Sequence, residues 1–196
     1  MGEIFVKTST KSIVKCVLFA LLYVLIVYAS LCLGYLHPFF WAYAATVSAL
    51  FAAIPYLYLA SKRNGFGVGT VLALLVALAC MAAGEGTMLN YAVILVLGIV
   101  SDLVRNACGG DTLKGVRMAY PIFALIPFGR TMVLWTDRAN ELAEDAEEMG
   151  ATYSEVMAKV TPVWMLIVML AVTILLAIAA ERVTEKVMKK TSSALR

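Results

Sequence analysis

The sequence predicts an all-α, polytopic membrane protein: six transmembrane helices in a single integral membrane domain, residues 1–196, with both termini cytoplasmic. Three observations predict it. The chain is 62% hydrophobic and 15% charged, with a mean hydropathy of +0.88, whereas soluble domains are about 45–50% apolar and about 25% charged. Polar breaks cut it into six apolar runs near the roughly 20 residues that a helix needs to cross a bilayer. Lys and Arg then collect at alternate ends of those runs. The composition excludes a soluble globular domain and a disordered chain, and a net charge of +3 excludes a nucleic-acid binder.

The first span covers residues 12–34. Lys7, Lys11 and Lys15 precede it in the charge order of a signal peptide, but its apolar run is too long for an h-region, so it reads as a retained span. The turn Gly34-Tyr-Leu-His-Pro38 ends it, because Pro38 suits the first turn of a new helix. The second span, 39–60, stops at the charged turn Ser61-Lys-Arg-Asn-Gly65. The third, 66–83, ends at Gly84-Glu85-Gly86, after which Thr87 fits the N-cap of a fourth span, 88–106. Cys108-Gly-Gly-Asp111 breaks the chain again. The fifth run, 118–136, carries Pro121, Pro127 and Arg130, which predicts a kink and an irregular outer third.

Residues 137–159 form the long polar segment, with seven acidic side chains. Leu142, Ala146 and Met149 recur there at i, i+4, i+7 and Gly150 follows as a stop, which predicts a short amphipathic helix. Thr152-Tyr-Ser-Glu155 fits a capping box for another. Thr161 and Pro162 fit the N-cap and first residue of the sixth span, 162–180, and a basic tail follows. Stripes of small residues, Ser12, Cys16 and Ala20 on the first span and Ala45, Ala49 and Ala53 on the second, allow close helix approach within the chain or with a partner.

Charge placement supports this order of spans, because Lys and Arg accumulate on the cytoplasmic side. With the N-terminus inside, the inner segments hold Lys7, Lys11, Lys15, Lys62, Arg63, Arg105, Lys114, Arg117, Arg182, Lys186, Lys189, Lys190 and Arg196, thirteen of the 16 cations. Arg130, Arg138 and Lys159 remain outside, with Glu85 and the acidic segment. Trp41, Trp135 and Trp164 then fall at the outer interface, where amphipathic rings are enriched.

No intramembrane chemistry is evident in the motifs. GxSxG, HExxH and the P-loop are missing, there is one histidine, and Glu147-Glu148 reads as a solvated helix face. Cys16, Cys32, Cys80 and Cys108 have no metal spacing. No enzyme activity, intrinsic cofactor or metal site is expected. Arg130 stands out, since a cation within an apolar run costs roughly 2.5–3.5 kcal/mol at mid-helix unless compensated. It either binds an anionic group of a ligand, or snorkels to the headgroups or pairs with Glu85 or Asp137. His37, beside Tyr35, Phe39, Phe40, Trp41 and Tyr43, belongs either to an interfacial aromatic belt or to the wall of a planar ligand, with His37 a hydrogen-bond donor or a metal ligand to a tetrapyrrole. Asn90 and Glu85 offer polar contacts at the same level. Asp102 and Arg105 read as a local ion pair. A contrasting reading is a structural or assembly protein whose acidic outer segment binds a partner.

The six spans, the Gly34-Tyr-Leu-His-Pro38 turn, Tyr120-Pro-Ile-Phe-Ala-Leu-Ile-Pro-Phe-Gly129, Tyr153-Ser-Glu-Val-Met157 and Thr161-Pro162-Val-Trp164 occur in an order that resembles S components of energy-coupling factor (ECF) transporters, in particular the MptD-like, or Trep_Strep, group. The resemblance covers nearly the whole chain. It implies an S-component bundle in the cell membrane that captures a scarce small molecule outside, such as a tetrapyrrole or a vitamin-like metabolite. Delivery would follow on docking to a T component driven by two ATP-binding-cassette ATPases. It places the ligand under the outer loops, which singles out Tyr35, His37, Trp41, Glu85, Asn90, Arg130 and Trp135. It also places the partner contact on the first span, where Ser12, Cys16 and Ala20 stand in the position of the family's AxxxA stripe.

Overall fold

The computed structural model of the chain describes residues 10–62, 66–110 and 112–194. Lys7, Arg63, Gly65, Asp111 and Arg196, and the side chains of Lys189 and Lys190, lie outside that description. In chain order come α1 (Thr10–Cys32), a 3-10 turn (Leu33–Tyr35), α2 (Pro38–Ala42), α3 (Ala44–Lys62), α4 (Val68–Ala82), α5 (Met88–Ala107) and α6 (Leu113–Phe123). They are followed by α7 (Phe128–Thr131), α8 (Val133–Thr136), α9 (Arg138–Met149), α10 (Ala151–Val160) and α11 (Met165–Ala194), with no strand among the described residues.

Four of these stretches are long and apolar enough to cross a membrane: Thr10–Tyr35, Ala44–Lys62, Met88–Ala107 and Met165–Met188. α4 is a shorter apolar helix of 15 residues. That is about 22 Å of helix against a hydrocarbon core of about 30 Å. The expected fifth span is divided. α6 ends at Phe123, and i→i+3 bonds such as Ile126 N–H to Phe123 O (3.0 Å) carry the chain into the short α7 and α8. Pro127 has no N–H to continue an α-helical ladder. Irregular backbone at membrane depth is tolerated where protein covers it, and Phe123, Ala124 and Ile126 are buried.

Two helix starts differ from expectation. Thr161 does not open α11: its hydroxyl donates to Met157 O at 2.7 Å and closes α10, and α11 begins at Met165. Thr152 does not cap α10 either, because the positive-φ Gly150 (φ 94°) already turns the chain and accepts from Tyr153 N–H at 3.0 Å. Thr87 does cap α5, and Pro38 opens α2.

α3 is the central helix, packed against both α1 and α11. Its stripe of Ala45, Ala49 and Ala53 is fully covered. Cys16 and Ala20 of the α1 stripe pack against the same core. α4 and α5 touch backbone to backbone: a Cβ on Gly98 would lie 2.5 Å from Ala73 Cβ, so only glycine permits this approach. At the far end of that contact Asp102 accepts from the N–H groups of Gly69 (2.9 Å) and Thr70 (2.7 Å) and from the Thr70 hydroxyl (2.7 Å). It therefore caps α4, while Arg105 reaches the carbonyls of Ala60 and Gly110.

Against the opposite end of the bundle lies the α9–α10 hairpin. Arg138 donates to the Thr161 carbonyl (2.6 Å), the Thr161 hydroxyl (2.9 Å) and Ala158 O (2.8 Å). Tyr43 donates to Val160 O at 2.6 Å, and Tyr153 to Gly34 O at 3.0 Å. These bonds hold a polar hairpin on an apolar bundle, over a second small core of Ala42, Tyr43, Leu134, Met157 and Met169.

Candidate functional site: a charged cavity under the hairpin

Between hairpin and bundle is a cavity of about 260 Å³. The last turn of α1 supplies Tyr28 and Leu31, the 3-10 turn Gly34 and Tyr35, α2 Trp41, the Gly84–Gly86 loop Glu85, and α7 Arg130. The remaining wall is α9, with Glu141, Glu144, Asp145 and Glu148, and Tyr153 of α10. These four carboxylates stand at i, i+3, i+4 and i+7, a single helical stripe.

Local structure explains each position. A Cβ on Gly34 would sit 2.5 Å from Trp41 Cβ, so glycine lets the turn close onto the indole. Arg130 stacks on that indole, its guanidinium carbon 4.9 Å from the ring centroid, a cation–π contact. Its backbone is held by Asn90, whose amide donates to the carbonyls of Gly129 (2.7 Å) and Arg130 (3.2 Å). The Asn90 oxygen in turn accepts from Thr87 N–H (2.8 Å) and hydroxyl (2.7 Å).

Arg130 is well placed and weakly paired. Its Nε is 3.6 Å from Glu85 Oε2 and its Nη1 is 3.8 Å from Glu141 Oε1, both longer than a hydrogen bond. Arg130 Nε and Asp145 Oδ2 are buried without a hydrogen-bond partner among the described residues. Glu141 is only 8% exposed, and burial pushes its carboxyl from the ordinary 4.5 to about 7, against the opposing pull of Arg130 and with a further push from Asp145, Glu144 and Glu148. Burial raises Asp145 as well, with Glu148 adding to it. Tyr153 is pushed up to about 12, first by burial and then by Asp145.

Of the residues singled out from the sequence, Tyr35, Trp41, Glu85 and Arg130 meet at this cavity. Three lie off its lining. His37 is exposed and caps α2, its Nδ1 accepting from Phe39 N–H at 3.1 Å. Asn90 acts through Arg130 and Gly129. Trp135 packs with Phe128, its indole N–H 3.5 Å from Pro162 O. Arg130 pairs with Glu85, one of the two partners foreseen, and with Glu141 rather than Asp137. The α9 stripe and Tyr153 were not anticipated. Glu147 is exposed as a solvated face should be, but Glu148 beside it lines the cavity. The i, i+3, i+4, i+7 spacing of the acids was the available signal.

No group of three His, Cys, Asp or Glu among the described residues is placed to hold a metal ion. Fold and site together define a multi-pass helical membrane protein with a charged, aromatic cavity at one end. The chain belongs to the Trep_Strep family, described as hypothetical bacterial integral membrane proteins, whose model matches residues 10–191. No curated protein and no solved structure matches it.

Proposed function

We propose that the chain is the substrate-capturing S component of an ECF-type importer in the cell membrane. In this reading the chain crosses six times, with α4 and the broken α6–α8 segment as the two short crossings, so that both termini share a side, which the Lys and Arg distribution makes the cytoplasm. The cavity then opens to the outside. The chain has no catalysis of its own; ATP hydrolysis belongs to the two ATPases that act with a T component. The observation carrying this reading is the cavity itself: about 260 Å³ walled by aromatic rings and charged groups, with a cation held 3.6 Å and 3.8 Å from its carboxylates. Small-molecule sites are concave with convergent polar groups, and this one is more polar than most, with five carboxylates and a guanidinium on its lining. The same observation weakens the assembly-protein reading, because four of the acids that would meet a partner line the cavity.

The volume of about 260 Å³ lies just below the roughly 300–1,000 Å³ of pockets for drug-sized ligands, which limits the ligand to a small metabolite. A tetrapyrrole with His37 as axial ligand is a poorer fit, because His37 lies off the lining and its Nδ1 is engaged with Phe39. Adding haem to purified protein and finding a Soret shift would reverse that judgement.

The direct test is native mass spectrometry of the chain purified from bacterial membranes in mild detergent. A small molecule retained by the wild type and lost in Trp41→Ala supports capture. Absence of any retained molecule, with no thermal stabilisation by a metabolite extract, sinks it. Co-purification is read separately: if neither a T component nor its ATPases is recovered, the ECF assignment fails even where capture stands.

A further inference from the structure

Resting on the reading of the cavity as a ligand site, we infer that its ligand is a small organic cation, recognised by the α9 carboxylates and the facing aromatic rings. Five carboxylates and one guanidinium line the cavity. That guanidinium is already shared between Glu85 and Glu141. An anion entering here would compete with two carboxylates for Arg130 and face the rest unshielded; a cation gains from all of them.

Glu141 points the same way independently of the count. It is 8% exposed and lines the cavity. Arg130 Nη1 stands 3.8 Å from its carboxylate, beyond hydrogen-bond reach, and one turn along the stripe Asp145 Oδ2 is buried without a hydrogen-bond partner among the described residues. A buried carboxylate is costly unless paired and hydrogen-bonded, and an ammonium or amidinium donor in the cavity would supply the missing partner at charge-assisted hydrogen-bond distance. The walls suit such a group. Trp41 already carries a guanidinium on its face at 4.9 Å, and Tyr35 and Tyr153 line the same space, so rings and carboxylates, the groups that attract a cation, share its lining. A bare metal ion fits less well, because no three donors among the described residues converge on one point.

The test uses the full chain in detergent, freed of endogenous ligand by washing. The probes are a bacterial small-molecule extract separated on cation- and anion-exchange resins, with magnesium and calcium chlorides as additional arms. The cation fraction is expected to raise the melting temperature by at least about 3 °C. Its half-saturating concentration should rise about tenfold in Glu141→Gln and in Asp145→Asn; two variants guard against a folding defect in either. Stabilisation by the anion fraction, or by the metal salts alone, overturns the cation assignment and leaves capture standing. Failure of every fraction removes both. Unchanged saturation in both variants also overturns the assignment, even where the cation fraction stabilises.

Discussion

Two buried carboxylates at opposite ends of the molecule are treated in opposite ways. Asp102 is 0% exposed and Glu141 8%. Asp102 takes three hydrogen bonds of 2.7–2.9 Å at the N-terminus of α4, where the helix dipole also favours a negative charge. Glu141 is met by Arg130 Nη1 only at 3.8 Å, beyond hydrogen-bond reach, and Asp145 Oδ2 on the same stripe is buried without a hydrogen-bond partner among the described residues. The difference separates a polar group used to join helices from one whose bonding capacity is unspent. At the α4 end, Arg117 likewise bonds Glu185 through Nε at 3.0 Å. At the cavity end, Arg130 keeps an Nε without a hydrogen-bond partner among the described residues; the α4 end has such an atom too, Glu181 Oε1, 3.4 Å from Arg117 Nε.

The strongest way to break the contrast is Asp102→Ala. Two backbone N–H groups and the Thr70 hydroxyl lose their acceptor, and the α4–α5 contact loses its clasp. A cost of about 3–4 kcal/mol is expected, read as a lower thermal midpoint in detergent, with ligand retention unchanged in the molecules that remain folded. A loss below about 1 kcal/mol would mean that water replaces the carboxylate there and that the two ends are not different in kind.

Asn90→Ala is expected to come next, at about 2–3 kcal/mol, because four short bonds disappear from a residue that is 2% exposed. It sharpens the comparison from the cavity side. Asn90 secures the backbone on which Arg130 rides, so ligand retention should fall together with stability, whereas in Asp102→Ala the two should separate.

Much of the frame was legible in sequence, because it depends on local signals: the apolar runs, Pro38 at a helix start, Thr87 as a cap, Gly150 as a stop. The irregular outer part of the fifth run, read from Pro121, Pro127 and Arg130, was legible for the same reason, although the helix ends at Phe123, ahead of Pro127. The start of α11 was not, since Thr161 closes the helix behind it through Met157 and is held by Arg138, a partner 23 residues away. The cavity was half legible. Arg130, Trp41, Glu85 and Tyr35 stood out as polar or aromatic exceptions within apolar surroundings. The acids of α9 did not, because Leu142, Ala146 and Met149 offered an equally regular stripe. Which stripe faces the bundle is set by tertiary bonds such as Tyr153 to Gly34, and no local pattern contains those.

Glu141→Gln tests the other member of the pair and should have the opposite sign to the first two. The carboxyl titrates near 4.5 when unfolded and at about 7 when folded. Across that window the folded chain binds more protons, so stability falls as pH rises and is lowest, for this group, above about 7. Asp145 is shifted in the same direction and adds to the trend. The neutral glutamine should therefore gain on the order of 2 kcal/mol at pH 8 and nothing near pH 4.5, flattening the pH profile of the melting temperature. A wild-type profile flat between pH 5 and 8 would show that Glu141 has found partners after all.

The smallest effect is expected where the two faces of α9 meet. Glu147 and Glu148 are adjacent and carry the same charge, but only Glu148 lines the cavity. Glu147→Gln should change stability by no more than about 0.5 kcal/mol, as exposed substitutions do, and should leave the retained ligand in place. Glu148→Gln should be equally mild for folding, since the side chain is exposed, yet weaken retention of a cationic ligand through the lost charge. Salt dependence checks the pair: raising ionic strength should narrow the gap between them, because a rim carboxylate acts through a screened field rather than through contact. If both variants retained ligand equally at low salt, Glu148 would have no electrostatic role, and the unspent capacity at this end would reduce to Glu141, Asp145 and Arg130.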